Sequence, residues 1–154
     1  QRSKPSKFLV LTGNTTFAQE RIPTHLHNDI IIRSLPFEQI PFYMSAADAA
    51  FALRQPTYSM QGVAPIKLGE YLLMGLPSIA SSGIGDTDEI LQSFPECYIF
   101  DHSCPIEAQG KQINDWIRLL SNQPKDRIRE KAIAYFSMEK AGESYLNVIQ
   151  KLTR

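Results

Sequence analysis

Short apolar runs punctuate the chain, each closed by a small or polar residue, and between them apolar positions recur every three or four residues. FLVLTG at 8–13 is the first such run, and DIIIRS at 29–34, AAFALR at 49–54, PSIAS at 77–81 and CYIF at 97–100 repeat it. Runs that are apolar at odd and even positions alike predict strands buried on both faces, as in a parallel sheet covered by helices rather than a sheet wetted on one side. Between them, Ile40, Tyr43 and Met44 predict a helix over Phe37–Ala46. A second helix is predicted over Ile66–Met74, stopped by Gly75 with Pro77 beyond it. A short one follows at Thr87–Gln92. Ile113, Trp116, Ile117 and Leu120 form one stripe of a helix over Ile106–Leu120, and Lys125–Leu152 is a long amphipathic stretch with Gly142 as its candidate break.

Strand alternating with helix predicts an α/β fold, a Rossmann-like doubly wound parallel sheet whose crossovers are right-handed. Such sheets bind ligands beyond the carboxyl ends of their strands. The loops after residues 13, 34, 54, 82 and 101 are therefore where function is sought.

Composition narrows the classes. The 154 residues suit one core, and 43% apolar content with ten prolines and eight glycines suits a globular chain. Sixteen basic and sixteen acidic side chains give a formal charge of zero, which argues against a nucleic-acid partner. No apolar run reaches the roughly 18–20 residues of a transmembrane segment. Cys97 and Cys104 are too few for a disulfide scaffold and lack zinc-site spacing, so a reducing cytoplasm is the default compartment. The chain starts at Gln1 and its first predicted strand follows seven residues later, which reads as a domain excised from a longer protein.

QPTYSMQGVAPIKLGEY, residues 55–71, holds the strongest candidate chemistry. A loop with Ser59, Gly62 and Pro65 leads into a helix, and backbone groups of Gly62, Val63, Ala64 and Ile66 there suit an anion, helped by the helix dipole. Lys67 falls in the first helical turn, the end at which the dipole disfavours a cation, and a phosphate bound there would offset that cost. Glu70 shares its face at i, i+3. A lysine suits a diphosphate and a carboxylate suits the vicinal hydroxyls of a ribose; the plain alternative is a surface ion pair worth about 0–1 kcal/mol. The next strand end, SSGIGDTDEI at 81–90, supplies Gly83 and Gly85 and a helix start with Asp86 or Thr87 as N-cap. Tyr58 suits stacking on a base or sugar, or covering the sheet edge.

Other features have plainer readings. His25 and His27 lack a third ligand and read as loop residues, so no metal site is expected. His102 reads as a capping or surface residue, Asp48 as closing the turn before the third strand, Asp86 and Asp88 as compensating a helix dipole, and Trp116 as core.

Ser45-Ala46-Ala47-Asp48, Glu70-Tyr71, Gly75-Leu76-Pro77-Ser78-Ile79-Ala80-Ser81 and Gly85 to Ile90 recur in that order over about a third of the chain. This run resembles the carboxyl-terminal, nucleotide-sugar-binding domain of GT-B glycosyltransferases, particularly retaining family 4. The resemblance implies one domain of a two-domain enzyme that moves a sugar from a nucleoside diphosphate sugar to a glycan or lipid-linked acceptor, with no metal or other cofactor required. It puts the ribose-binding glutamate at Glu70, and Pro65, Lys67, Glu70 and Tyr71 match the subset with P-x-K-x-x-E-Y, in which Lys67 would act catalytically at the diphosphate. Arg33, Ser34 and Leu35 fall where backbone groups frame the base, or form a plain strand-to-helix turn. The family's other glutamate, eight positions before the first, is Gly62 here, which departs from the pattern at the sugar. The resemblance also implies an amino-terminal acceptor domain and a first strand and helix outside this fragment, which would be inactive alone. It further implies a role in polysaccharide biosynthesis, in the cytoplasm or at the inner membrane face. A nucleotide-sugar epimerase of the same fold, a receiver-type signalling module and a non-catalytic interaction domain are the alternatives; the first needs acid and base groups, and the second an acidic cluster where Thr12-Gly13-Asn14 stands.

Overall fold

The computed structural model describes residues 6–120 and 125–153. The chain divides into two compact units, Gln1–Ser45 and Ala46–Arg154. In the first, β1 (Phe8–Leu11) runs parallel to β2 (Ile30–Arg33), with Phe8 opposite Ile30 and Leu11 opposite Arg33. A short helix α1 (Thr15–Gln19), capped by the Asn14 side chain accepting from Phe17 N–H, and a 3-10 turn at Thr24–Leu26 make the crossover. A 3-10 turn at Phe37–Gln39 and α2 (Ile40–Ser45) follow, so the helix predicted over Phe37–Ala46 begins as 3-10 and ends one residue early.

The second unit holds β3 (Ala50–Ala52), β4 (Ser78–Ser81) and β5 (Tyr98–Phe100), parallel and in that order. Helix α3 (Ile66–Leu73) joins the first pair and α4 (Thr87–Gln92) the second; α5 (Ile106–Leu119), α6 (Lys125–Tyr135) and α7 (Met138–Leu152) complete the chain. The fold class is thus α/β with parallel strands. The strands pair as one sheet of two and one of three, in place of a single sheet.

Burial departs from the expectation of covered faces. All four residues of β4 are buried, but β2 alternates half-buried and exposed, and Phe8 and Leu9 of β1 are exposed. A uniformly apolar run does not reveal which of its faces is covered. The core of the second unit gathers Leu68 and Leu72 of α3, Ala80 of β4, Ile90 and Leu91 of α4, Phe94, and Ile128 and Ala132 of α6. Trp116 joins the buried set and donates its indole N–H to Glu96 O at 2.8 Å, as its expected core role requires.

Helix α3 stops as its sequence predicts. Gly75 takes φ +73°, Leu76 N–H donates to Tyr71 O, and Gly75 N–H donates to Leu72 O, which together form a Schellman cap. A β-carbon at Gly75 would also lie 2.5 Å from the Lys125 carbonyl oxygen, where α6 begins. The expected break at Gly142 falls elsewhere: the chain leaves α6 at Phe136 and re-enters helix at Ser137, whose hydroxyl accepts from Lys140 N–H. Serine offers an N-cap and Gly142 offers only a modest loss of helix propensity, so the cap decides the boundary. The Phe136 ring packs beside Gly69 of α3.

These two glycines predict opposite outcomes in urea unfolding. Gly75→Ala should lose about 2 kcal/mol or more, from the left-handed backbone and the Lys125 carbonyl together. Gly142→Ala, whose added β-carbon meets nothing within 4 Å, should gain about 0.5–1 kcal/mol.

Cys97 packs against the same core and its sulfur accepts from Ser78 N–H at 3.3 Å. Burial pushes its thiol from 9.0 up to about 11, the Ser78 bond opposing and nearby Glu96 adding. The folded state therefore binds this proton more tightly than the unfolded chain, so the associated stability is present below pH 9 and is lost as pH rises towards 11. With iodoacetamide at pH 8, exposed Cys104 should be alkylated in the folded protein and Cys97 only on unfolding, as read by mass spectrometry.

Candidate functional site

The carboxyl ends of β3, β4 and β5 are joined by one buried hydroxyl. Ser81, fully buried at the end of β4, accepts from Arg54 N–H at 2.8 Å and pairs with His102 Nε2 at 2.8 Å. The donor of the Ser81–His102 bond depends on the His102 tautomer, and in either case the pair is closed at 2.8 Å. The His102 ring also meets Phe100 edge-on, with centroids 4.8 Å apart. Asp101 beside it accepts from Ser103 N–H and Oγ–H and from Cys104 Sγ–H, bonds that hold its carboxyl below the usual range. His102 thus ties strand ends together, a role that sequence position alone did not reveal.

The loop after β4 is braced from within. Asp88 accepts from Ser82 Oγ and Gly83 N–H, both at 2.8 Å, while Ser82 N–H donates to Phe100 O and Gly85 N–H to Met60 O. Asp88 therefore anchors the turn, beyond any compensation of the α4 dipole. Asp86 occupies the N-cap without a side-chain hydrogen bond. Gly85 has φ +44°, and a β-carbon there would collide with the Val63 carbonyl oxygen, so the two strand-end loops touch only because this residue is glycine. Asp48 is exposed and makes no hydrogen bond among the described residues, against the expected turn closure.

The loop after β3 differs. A 3-10 turn spans Tyr58–Gly62, Val63 N–H donates to Met60 O, and Pro65 is the N-cap of α3 without a side-chain bond. Among the described residues the N–H groups of Ala64 and Lys67 have no acceptor, whereas Ile66 N–H donates to Ala64 O. Of the backbone groups expected to face an anion, Val63 and Ile66 are therefore occupied and Ala64 is open. Gly62 is exposed, and a side chain there would meet nothing within 4 Å, so packing does not require glycine at this position. Tyr58 stands 91% exposed.

Lys67 and Glu70 do share a face, and they pair with each other: Nζ lies 2.8 Å from Oε2. With Lys67 64% and Glu70 36% exposed, the pair contributes about 0–1 kcal/mol. Burial raises the Tyr71 hydroxyl, with Lys67 opposing and Glu70 adding, so Tyr71 stays a neutral neighbour.

In the first unit, Arg33 ends β2 and donates to Ile32 O at 2.8 Å, with Ser34 and Leu35 following without regular secondary structure. Arg33, His27, Gln19, Ile22, Ile30 and Ile32 line an open cavity of about 550 Å³, and His27 Nε2 lies 3.0 Å from Ile22 O. A second, of about 440 Å³, lies by Tyr135, Ser137, Lys140 and Ser144. Neither includes Lys67 or Glu70. Among the described residues no helix is long and apolar enough to cross a membrane.

No protein-family model, no curated protein and no solved structure matches the chain. Sequence reasoning singled out Lys67 and Glu70 but missed Ser81 and Arg54. The signal for the first was a serine closing an otherwise apolar strand, where a buried hydroxyl must find partners.

Replacing Ser81 with alanine should cost about 1–3 kcal/mol in urea unfolding, because Arg54 N–H loses its acceptor and His102 Nε2 its partner. An unchanged midpoint would mean that the three strand ends do not depend on this hydroxyl.

Proposed function

We propose that the chain is the donor-binding part of a retaining glycosyltransferase, a Rossmann-like doubly wound domain of a two-domain GT-B enzyme, which takes a nucleoside diphosphate sugar at the start of α3. One observation supports this most. The free Ala64 and Lys67 amides, the Lys67 ammonium and the Glu70 carboxylate all belong to the segment from Ala64 to Glu70, where the loop after β3 enters α3. Fixed N–H dipoles and a cation are the tools that stabilise charge developing on a departing nucleoside diphosphate, and a carboxylate accepts the paired hydroxyls of a ribose. On ligand entry the exposed Lys67–Glu70 pair opens, at small cost, and each group takes its own end of the ligand. The acceptor, a glycan or lipid-linked sugar, and any group acting on it belong to other parts of such an enzyme.

The 2.8 Å contact between Lys67 and Glu70 favours a second reading, a non-catalytic α/β interaction module with an ordinary surface ion pair. Calorimetric titration with UDP-, GDP- and ADP-sugars separates the two. We expect one of these donors to bind, and Glu70→Ala to weaken it about 10- to 100-fold, the loss of hydrogen bonds to a charged group. Absence of binding would favour the interaction module, and identical affinity in the variant would move the donor site away from Glu70.

A further inference from the structure

Resting on that reading, we infer that Arg54 is the principal diphosphate-binding cation of this site. A diphosphate carries more than one negative charge, so the single charge of Lys67, once released from Glu70, meets only part of it. The loops that leave β3, β4 and β5, residues 53–65, 82–86 and 101–105, hold a single lysine or arginine, Arg54. Its guanidinium is exposed and forms no ion pair among the described residues. Its one side-chain hydrogen bond, 3.7 Å from Nη1 to Met60 Sδ, goes to a thioether, a weak acceptor that a phosphate oxygen readily replaces.

Position supports the assignment as much as charge. The Arg54 backbone is fixed through its N–H to fully buried Ser81, which is itself held against His102, so the residue leaves the sheet in one defined direction. Met60, on which the guanidinium rests, belongs to the turn that leads into the open Ala64 and Lys67 amides, and its carbonyl accepts from both Val63 and Gly85. Arg54 and the free amides therefore stand at the two ends of one braced loop. A planar guanidinium binds two phosphate oxygens at once, which the Lys67 ammonium, a point charge, does not.

The test compares UDP, GDP and ADP with their parent nucleosides by calorimetry, on the wild-type chain and on Arg54→Gln, Arg54→Lys and Glu70→Ala. Arg54→Gln keeps the backbone N–H and loses only an exposed head, so its circular dichroism and Tm should match the wild type. We expect Arg54→Gln to weaken the best diphosphate at least tenfold, Arg54→Lys to recover part of that, and nucleoside affinity to stay unchanged. Diphosphate affinity should also fall with added NaCl in the wild type, and less steeply in Arg54→Gln. Unchanged diphosphate binding in Arg54→Gln, beside a loss in Glu70→Ala, would overturn the role of Arg54 and leave the site standing. A wild-type chain that binds no nucleoside diphosphate would overturn both.

Discussion

Complete burial of β4 is the constraint from which the second unit follows. A strand with no wetted face must find a neighbour on each edge and a covering layer, and β3, β5 and the helices meet that demand. Its sequence, Ser-Ile-Ala-Ser, is small, so the helices approach closely, and both serines are fully buried, so both hydroxyls must be paired. Ser78 donates to Leu76 O, within its own turn. Ser81 reaches across to both neighbouring strand ends. The same burial that stabilises the sheet thereby fixes the loops at the end where an α/β domain presents its ligands.

Those loops divide the work. In the turn after β4, Ser82, Gly83, Gly85 and Thr87 all donate their N–H groups within the protein. Its two glycines serve a brace that touches the loop after β3 at Val63 and Met60. Beyond that point, the Ala64 and Lys67 amides are among those left without an acceptor among the described residues. An anion site requires donors that folding has left free, and a rigid support requires donors that folding has used.

Much of this was legible in the sequence, because apolar runs bounded by turn residues mark strands whatever covers them. All five strands stand where the runs put them, within about two residues at each end, and α3 keeps its predicted start and stop because Pro65 and Gly75 act locally. What failed was non-local. Pairing into two sheets depends on which strand edges meet, and the wetting of β1 and β2 depends on what lies over them; neither is encoded in period. The break at Phe136–Ser137 was missed because a serine N-cap three residues before Lys140 is a quieter signal than a glycine inside a helix. At the site, the i, i+3 spacing of Lys67 and Glu70 gave their contact but could not say that they would satisfy each other.

That mutual satisfaction changes how the start of α3 should be understood. A lysine in the first turn opposes the helix dipole, and Glu70 one turn later removes much of the conflict by taking its charge. The helix is therefore stable without a ligand, with the free amides still unpaired and their partial positive charge undiminished. An anion arriving there meets amides that need no rearrangement and an ion pair that opens at a cost of about 0–1 kcal/mol. Under the proposed function, its remaining charge would be met by Arg54, the lysine or arginine that the loops leaving β3, β4 and β5 hold.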